Sequence, residues 1–158
     1  MFEQFGKFES IEGLNATAEG LRNEGDEESL FKLAEENGID KEDAEDYLDG
    51  MPEFATDTMA ALGRIKVEAA DLKPCEIMVD WIEYIKTLVL EDKGMRAAVF
   101  KKDLKGCIAG LLKWSFKNQY DVPKDIIKAA GVNASKVTLG IPGAATCKNI
   151  IRDYYGVK

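Results

Sequence analysis

The chain has 158 residues, 46% hydrophobic and 32% charged, with a formal net charge of −8 and no histidine. These values suit a globular protein rather than a disordered one, and the missing imidazole excludes Ser-His-Asp and Cys-His relays and any His-ligated zinc. Cys75, Cys107 and Cys147 are odd in number and widely spaced, so they read as reduced thiols of a cytoplasmic protein, with no metal and no cofactor expected.

Helix signals follow one another along the chain. Ser10 can cap a helix over 11–23, where Ile11, Leu14, Ala18 and Leu21 recur at helical spacing. Asp26 caps 27–37, with Leu30, Leu33 and Ala34 as its stripe, carboxylates in its first turn and Gly38 as a left-handed stop. Asp40 caps 41–49, with Ala44, Tyr47 and Leu48 inward, and Gly50 ends it. Thr56 caps 57–69. Pro74 fits the first turn of a helix over 74–91, since its missing N–H is not needed there. Ile77, Trp81, Tyr84, Ile85 and Leu88 give that helix the strongest apolar stripe in the chain.

Asp103 opens 104–118, which is expected to turn Cys107, Ile108, Leu111, Leu112 and Ser115 inward and to pack against 74–91 at the centre of the fold. Trp114 and Phe116 fall on different faces, so one of them is expected at the surface. Pro123 opens 124–130, Gly131 stops it, 134–139 reads as a short helix, and 144–155 is the last. Residues 136–141 are the only β-branched-looking stretch. The expected fold is all-α: a compact multi-helix bundle with a small acidic helical lobe over 1–52 and a core over 53–158 whose last third is basic and helix-turn-helix-like. The boundary is expected near residues 50–55. No apolar run reaches the roughly 18 residues of a membrane span. The start, Met1-Phe2-Glu3-Gln4-Phe5, lacks the character of a secretory leader.

Charge is sorted by position. Residues 1–50 hold 16 Asp+Glu against 4 Lys+Arg, residues 51–92 hold 9 against 4, and residues 93–158 hold 4 against 13. A soluble core does not require such sorting, which points to partners. In the front, Glu27, Glu28, Glu35, Glu36, Glu42, Asp43, Glu45, Asp46 and Asp49 form a candidate protein-docking surface that imitates nucleic-acid charge; a merely solvated face is the other reading. In the rear, residues 123–137 resemble a helix-turn-helix, whose reading residues would be Asn133, Ser135, Lys136 and Thr138. Lys113, Lys117, Lys124, Lys128, Lys148 and Arg152 surround it as phosphate or acidic-lobe contacts. Ile127 stands where a small residue is usual, and Gly140 with Pro142 shortens the second helix, so a packing role stays open. The run Leu-Gly-Ile-Pro-Gly-Ala-Ala over 139–145 lacks the Gly-Lys-Ser/Thr of a P-loop and reads as a turn.

The run Phe100-Lys101-Lys102-Asp103-Leu104-Lys105-Gly106-Cys107-Ile108-Ala109-Gly110-Leu111-Leu112, with Arg152-Asp153-Tyr154-Tyr155, resembles small proteins of bacterial mobile elements. In particular it is similar to the PcfK-like family, whose members carry a Lys-rich turn before Gly-Cys on a helix and a late Tyr-Tyr pair. The resemblance implies an association with conjugative elements and, through some members, anti-CRISPR inhibition of effector nucleases. It makes Lys102, Lys105, Gly106, Cys107, Tyr154 and Tyr155 family-defining positions of a structural kind. The expectation is a non-enzymatic binding protein that occludes a protein partner, with a CRISPR effector nuclease as the sharpest version. Two alternatives stand beside it: a DNA-binding accessory or regulatory protein using the basic third, and a homo-oligomer whose acidic and basic parts pair between subunits.

Overall fold

The computed structural model describes residues 2–158. Met1, the first residue of the leader reading, lies outside them. Among the described residues nine helices follow in order: α1 (Ile11–Glu24), α2 (Glu27–Glu36), α3 (Lys41–Leu48), α4 (Asp57–Leu72), α5 (Ile77–Glu91), α6 (Lys93–Ala98), α7 (Leu104–Lys117), α8 (Lys124–Ala129) and α9 (Ala144–Tyr155). A two-residue ribbon, β1 (Tyr120–Asp121) against β2 (Thr138–Leu139), completes the described residues. The fold is all-α and compact. Ser10, Asp26, Thr56 and Asp103 accept the N–H of Gly13, Ser29, Met59 and Gly106, so four helices begin at their expected caps. Among the described residues no helix is long and apolar enough to cross a membrane.

The centre is α4, not the expected pairing of the helix over 74–91 with that over 104–118. Its Ala60, Ala61 and Gly63 are buried, and small side chains let α1, α5, α6 and α7 close in around it. α7 and α9 pair behind it, and α1, α2 and α3 form the acidic lobe in front. One hydrophobic core runs from Ile11 to Tyr155 and includes Trp81 and Leu111. It crosses the expected boundary. Phe54 and Ala55 are buried, and Asn15 bonds both the N–H and the C=O of Ala55 at 2.9 Å.

Three other expectations change. α5 starts at Ile77 because α4 runs on to Leu72, leaving 73–76 to reverse the chain, with Lys73 (φ 48°) and Glu76 (φ 49°) in the left-handed half of the map. The short α6 was not anticipated; Asp92 caps it through the Gly94 N–H at 2.7 Å. Residues 134–139 are not a helix. Tyr120 pairs with Leu139 and Asp121 with Thr138 in antiparallel register, and the Val122 N–H reaches the Val137 carbonyl at 2.8 Å. β-branched Val137 and Thr138 prefer this extended pairing. Their partner strand is remote in sequence, so no local pattern announces it.

Candidate interaction surfaces

The acidic lobe is held stiffly. The Arg22 guanidinium stacks on the Tyr47 ring at 4.0 Å and donates to the carbonyls of Tyr47 (3.2 Å) and Met51 (3.1 Å), clamping the end of α3 to α1. Tyr47 in turn meets Phe54 edge-on at 5.6 Å. On this base Glu27, Glu28, Glu35, Glu42, Glu45, Asp46 and Asp49 are exposed and Asp43 is half-buried. Lys32 pairs with Glu35 at 3.0 Å and Lys41 with Glu45 at 3.3 Å. Among the described residues Glu27, Glu28, Glu42, Asp46 and Asp49 face no cation.

Glu36 leaves this surface. It is 4% exposed, and its carboxylate accepts the N–H groups of Gln4 at 2.7 Å and Phe5 at 3.2 Å. A buried carboxylate that satisfies two backbone donors fastens the first residues onto α2 and is closed to a partner.

In the basic third, Lys113, Lys117, Lys124, Lys128 and Lys148 are exposed and have no ion-pair partner among the described residues. Lys136 lies 3.4 Å from Asp121 across the ribbon. Asn133 and Ser135 are exposed in the loop after α8. With no second helix behind them, the helix-turn-helix reading is overturned. Arg152 is structural: half-buried, it pairs with Asp92 at 3.0 Å and donates to the Lys158 carbonyl, tying α9 to the start of α6. The Asp92 carboxyl is held below its ordinary range by the Gly94 N–H, with Arg152 adding to the effect. No ion pair joins α2 or α3 to the basic third among the described residues, so within one chain the two charged ends do not neutralise each other.

Of the residues singled out by the family resemblance, all but exposed Lys105 meet at the α7–α9 seam. The Tyr154 hydroxyl donates to the Asp103 carbonyl at 2.9 Å and lies over Gly106, where a Cβ would come 2.2 Å from it. Lys102 donates to the Tyr154 carbonyl at 2.5 Å and stands 5.2 Å from its ring. Cys107, Cys147 and Tyr155 are buried beneath. Burial, reinforced by Cys147, pushes the Cys107 thiol up to about 12, so it stays protonated and unreactive.

Sequence reasoning missed a charged group inside α4. Arg64 is 2% exposed; its guanidinium donates to the Phe8 carbonyl between the rings of Phe2 (4.9 Å) and Phe100 (5.1 Å). One turn on, Glu68 accepts the Leu104 N–H at 2.7 Å and pairs with Lys7 at 2.8 Å. Both residues fall on the apolar side of a helix with no other fully buried charge, which is the only signal that could have found them. They fasten the first residues across α4 to α7. Among the described residues no group of His, Cys, Asp and Glu is placed to hold a metal ion. Comparison with known proteins finds no matching family model, no matching curated protein and no matching solved structure.

Proposed function

We propose that this chain is a non-enzymatic binding protein that occludes a nucleic-acid-handling partner by laying the outer face of α2 and α3 into a basic groove. The observation that supports this most is the clamped lobe on which Glu27, Glu28, Glu42, Asp46 and Asp49 stay exposed, with no ion-pair partner among the described residues. A rigid array of carboxylates meets a phosphate-binding channel with little ordering entropy, and opposite charge speeds the encounter. The resemblance to the PcfK-like family makes a CRISPR effector nuclease the partner of choice, and the setting that of a mobile element.

The test is a pull-down and a DNA-cleavage assay with a purified effector nuclease. Binding should weaken steeply with salt, and Glu42→Lys/Asp46→Lys/Asp49→Lys should weaken it at least about ten-fold without changing the circular dichroism spectrum. A folded triple variant that inhibits as well as the parent would end this reading. A second reading, DNA binding by the basic third, rests on Lys113, Lys117, Lys124 and Lys128 being exposed with no ion-pair partner among the described residues. Salt-dependent retention of duplex DNA by the intact chain would favour it.

A further inference from the structure

One side of α7 is left bare. Lys105, Ala109, Leu112, Lys113, Phe116 and Lys117 recur at three- and four-residue spacing and are all exposed, Phe116 at 80% and Leu112 at 52%. The expectation that Leu112 turns inward therefore fails: Leu104, Cys107 and Leu111 fill the buried side. A phenylalanine in water forgoes about 1.5–3 kcal/mol that burial would supply. Two large apolar side chains one turn apart, with Lys113 and Lys117 beside them and no carboxylate on α7 itself, mark a contact surface rather than scattered exposure.

The counterpart is on the same chain. Met51, 55% exposed, follows α3, and Asp46, Asp49 and Glu53 are exposed around it in sequence. This knob is held in place: the Met51 N–H donates to the Asp46 carbonyl at 3.1 Å, and Arg22 holds the Met51 carbonyl from the other side at 3.1 Å. One surface is an apolar pair with lysines at neighbouring positions of its helix face; the other is an apolar tip flanked in sequence by carboxylates. Methionine also suits such a seat, because its thioether adapts to an aromatic edge.

We infer that the bare side of α7 docks a second copy of this chain, which seats Met51 against Leu112 and Phe116 while Asp46, Asp49 and Glu53 face Lys105, Lys113 and Lys117. The contact joins two different faces, so two copies close a two-fold dimer by making it reciprocally, or many pass it on head to tail as a ring or filament. It does not depend on the effector-binding reading. The apolar seat is small and surface ion pairs are individually weak, so the assembly needs both together and loosens as salt screens the charges.

Sedimentation equilibrium of the full chain tests this. At low salt the mass should exceed the 17.5 kDa of one chain and fall back toward it near 1 M salt, where screening acts within about 3 Å. Lys113→Glu/Lys117→Glu and Asp46→Lys/Asp49→Lys should each raise the dissociation constant at least about ten-fold. Mixing these two variants should restore a one-to-one complex, since each keeps the face the other lacks. Phe116→Ser should dissociate the assembly with helicity unchanged. A low-salt monomer, or an assembly that survives both charge reversals, overturns the inference. So does single-stranded DNA that binds the monomer and is lost in Lys113→Glu/Lys117→Glu, which would assign this face to nucleic acid.

Discussion

Gly38 and Gly63 meet backbone to backbone: a Cβ at Gly63 would lie 2.2 Å from the Asn37 carbonyl oxygen, and one at Gly38 would lie 2.4 Å from the Gly63 carbonyl oxygen. Here the turn between α2 and α3 crosses α4, and only bare α-carbons allow the crossing. Gly63→Ala should therefore cost about 1–3 kcal/mol, because main chain rather than a side-chain tip must move. Gly38→Ala should cost more, since Gly38 also sits at φ 66°. Gly20→Ala on α1, with nothing within 4 Å of its Cβ, should stabilise by about 0.5–1 kcal/mol. Urea denaturation of the three variants checks the order, and a neutral Gly63→Ala would refute the crossing.

Tyr154 and Gly106 should be energetically coupled. Gly106→Ala drives a methyl group into the Tyr154 hydroxyl, whereas Tyr154→Phe removes that oxygen together with its bond to Asp103, worth about 1 kcal/mol. In a double-mutant cycle Gly106→Ala should be milder when combined with Tyr154→Phe than alone, with an interaction energy of about 0.5–3 kcal/mol. Strict additivity would mean the two do not press on each other.

Trp81→Ala and Leu111→Ala should each destabilise by about 2–5 kcal/mol, since both side chains are buried in the one core. Thermal melts that leave either variant within experimental error of the parent would contradict that placement.

Stability should fall on the alkaline side. Burial, with Cys147 adding, raises Cys107 to about 12, and burial with the Asp103 carboxylate raises Tyr154 to about 12; burial raises Tyr155 as well. All three folded values exceed the unfolded ones, so their contribution is complete below the ordinary thiol value of 9.0 and is lost as pH climbs toward about 12. The melting temperature should decline over that window, with tyrosinate absorbance from Tyr154 and Tyr155 rising together with unfolding. At neutral pH alkylation should reach exposed Cys75 and spare Cys107 and Cys147. Modification of Cys107 in the folded chain would sink this account.

Local rules carried most helices because their information is local. Ser10, Asp26, Thr56 and Asp103 each announce a cap three residues ahead of the N–H they accept, and periodicity places Leu30, Ile85 and Leu111 inward. The errors share a cause. Tyr120 and Leu139 pair across a loop that holds α8, and no window short enough to show helical period contains both strands. Glu36 looked like one more surface carboxylate because its partners, the N–H groups of Gln4 and Phe5, are backbone and leave no mark in composition. Charge sorting made both ends visible as candidates. It could not show that the ends stay unpaired within the chain, nor that Arg152 is committed to Asp92.

The segment before α1 has an ordering consequence for biosynthesis. Phe8 is anchored by Arg64, 56 residues later, and Lys7 by Glu68, whose own carboxylate also awaits the Leu104 N–H. Translation delivers the fastened segment long before its fasteners. Glu36 can fasten Gln4 and Phe5 to α2 early, but the hold of Lys7 and Phe8 on α4 is complete only after the first turn of α7 has left the ribosome, so a nascent chain halted before residue 104 would present the lobe not yet fastened to the rest of the fold.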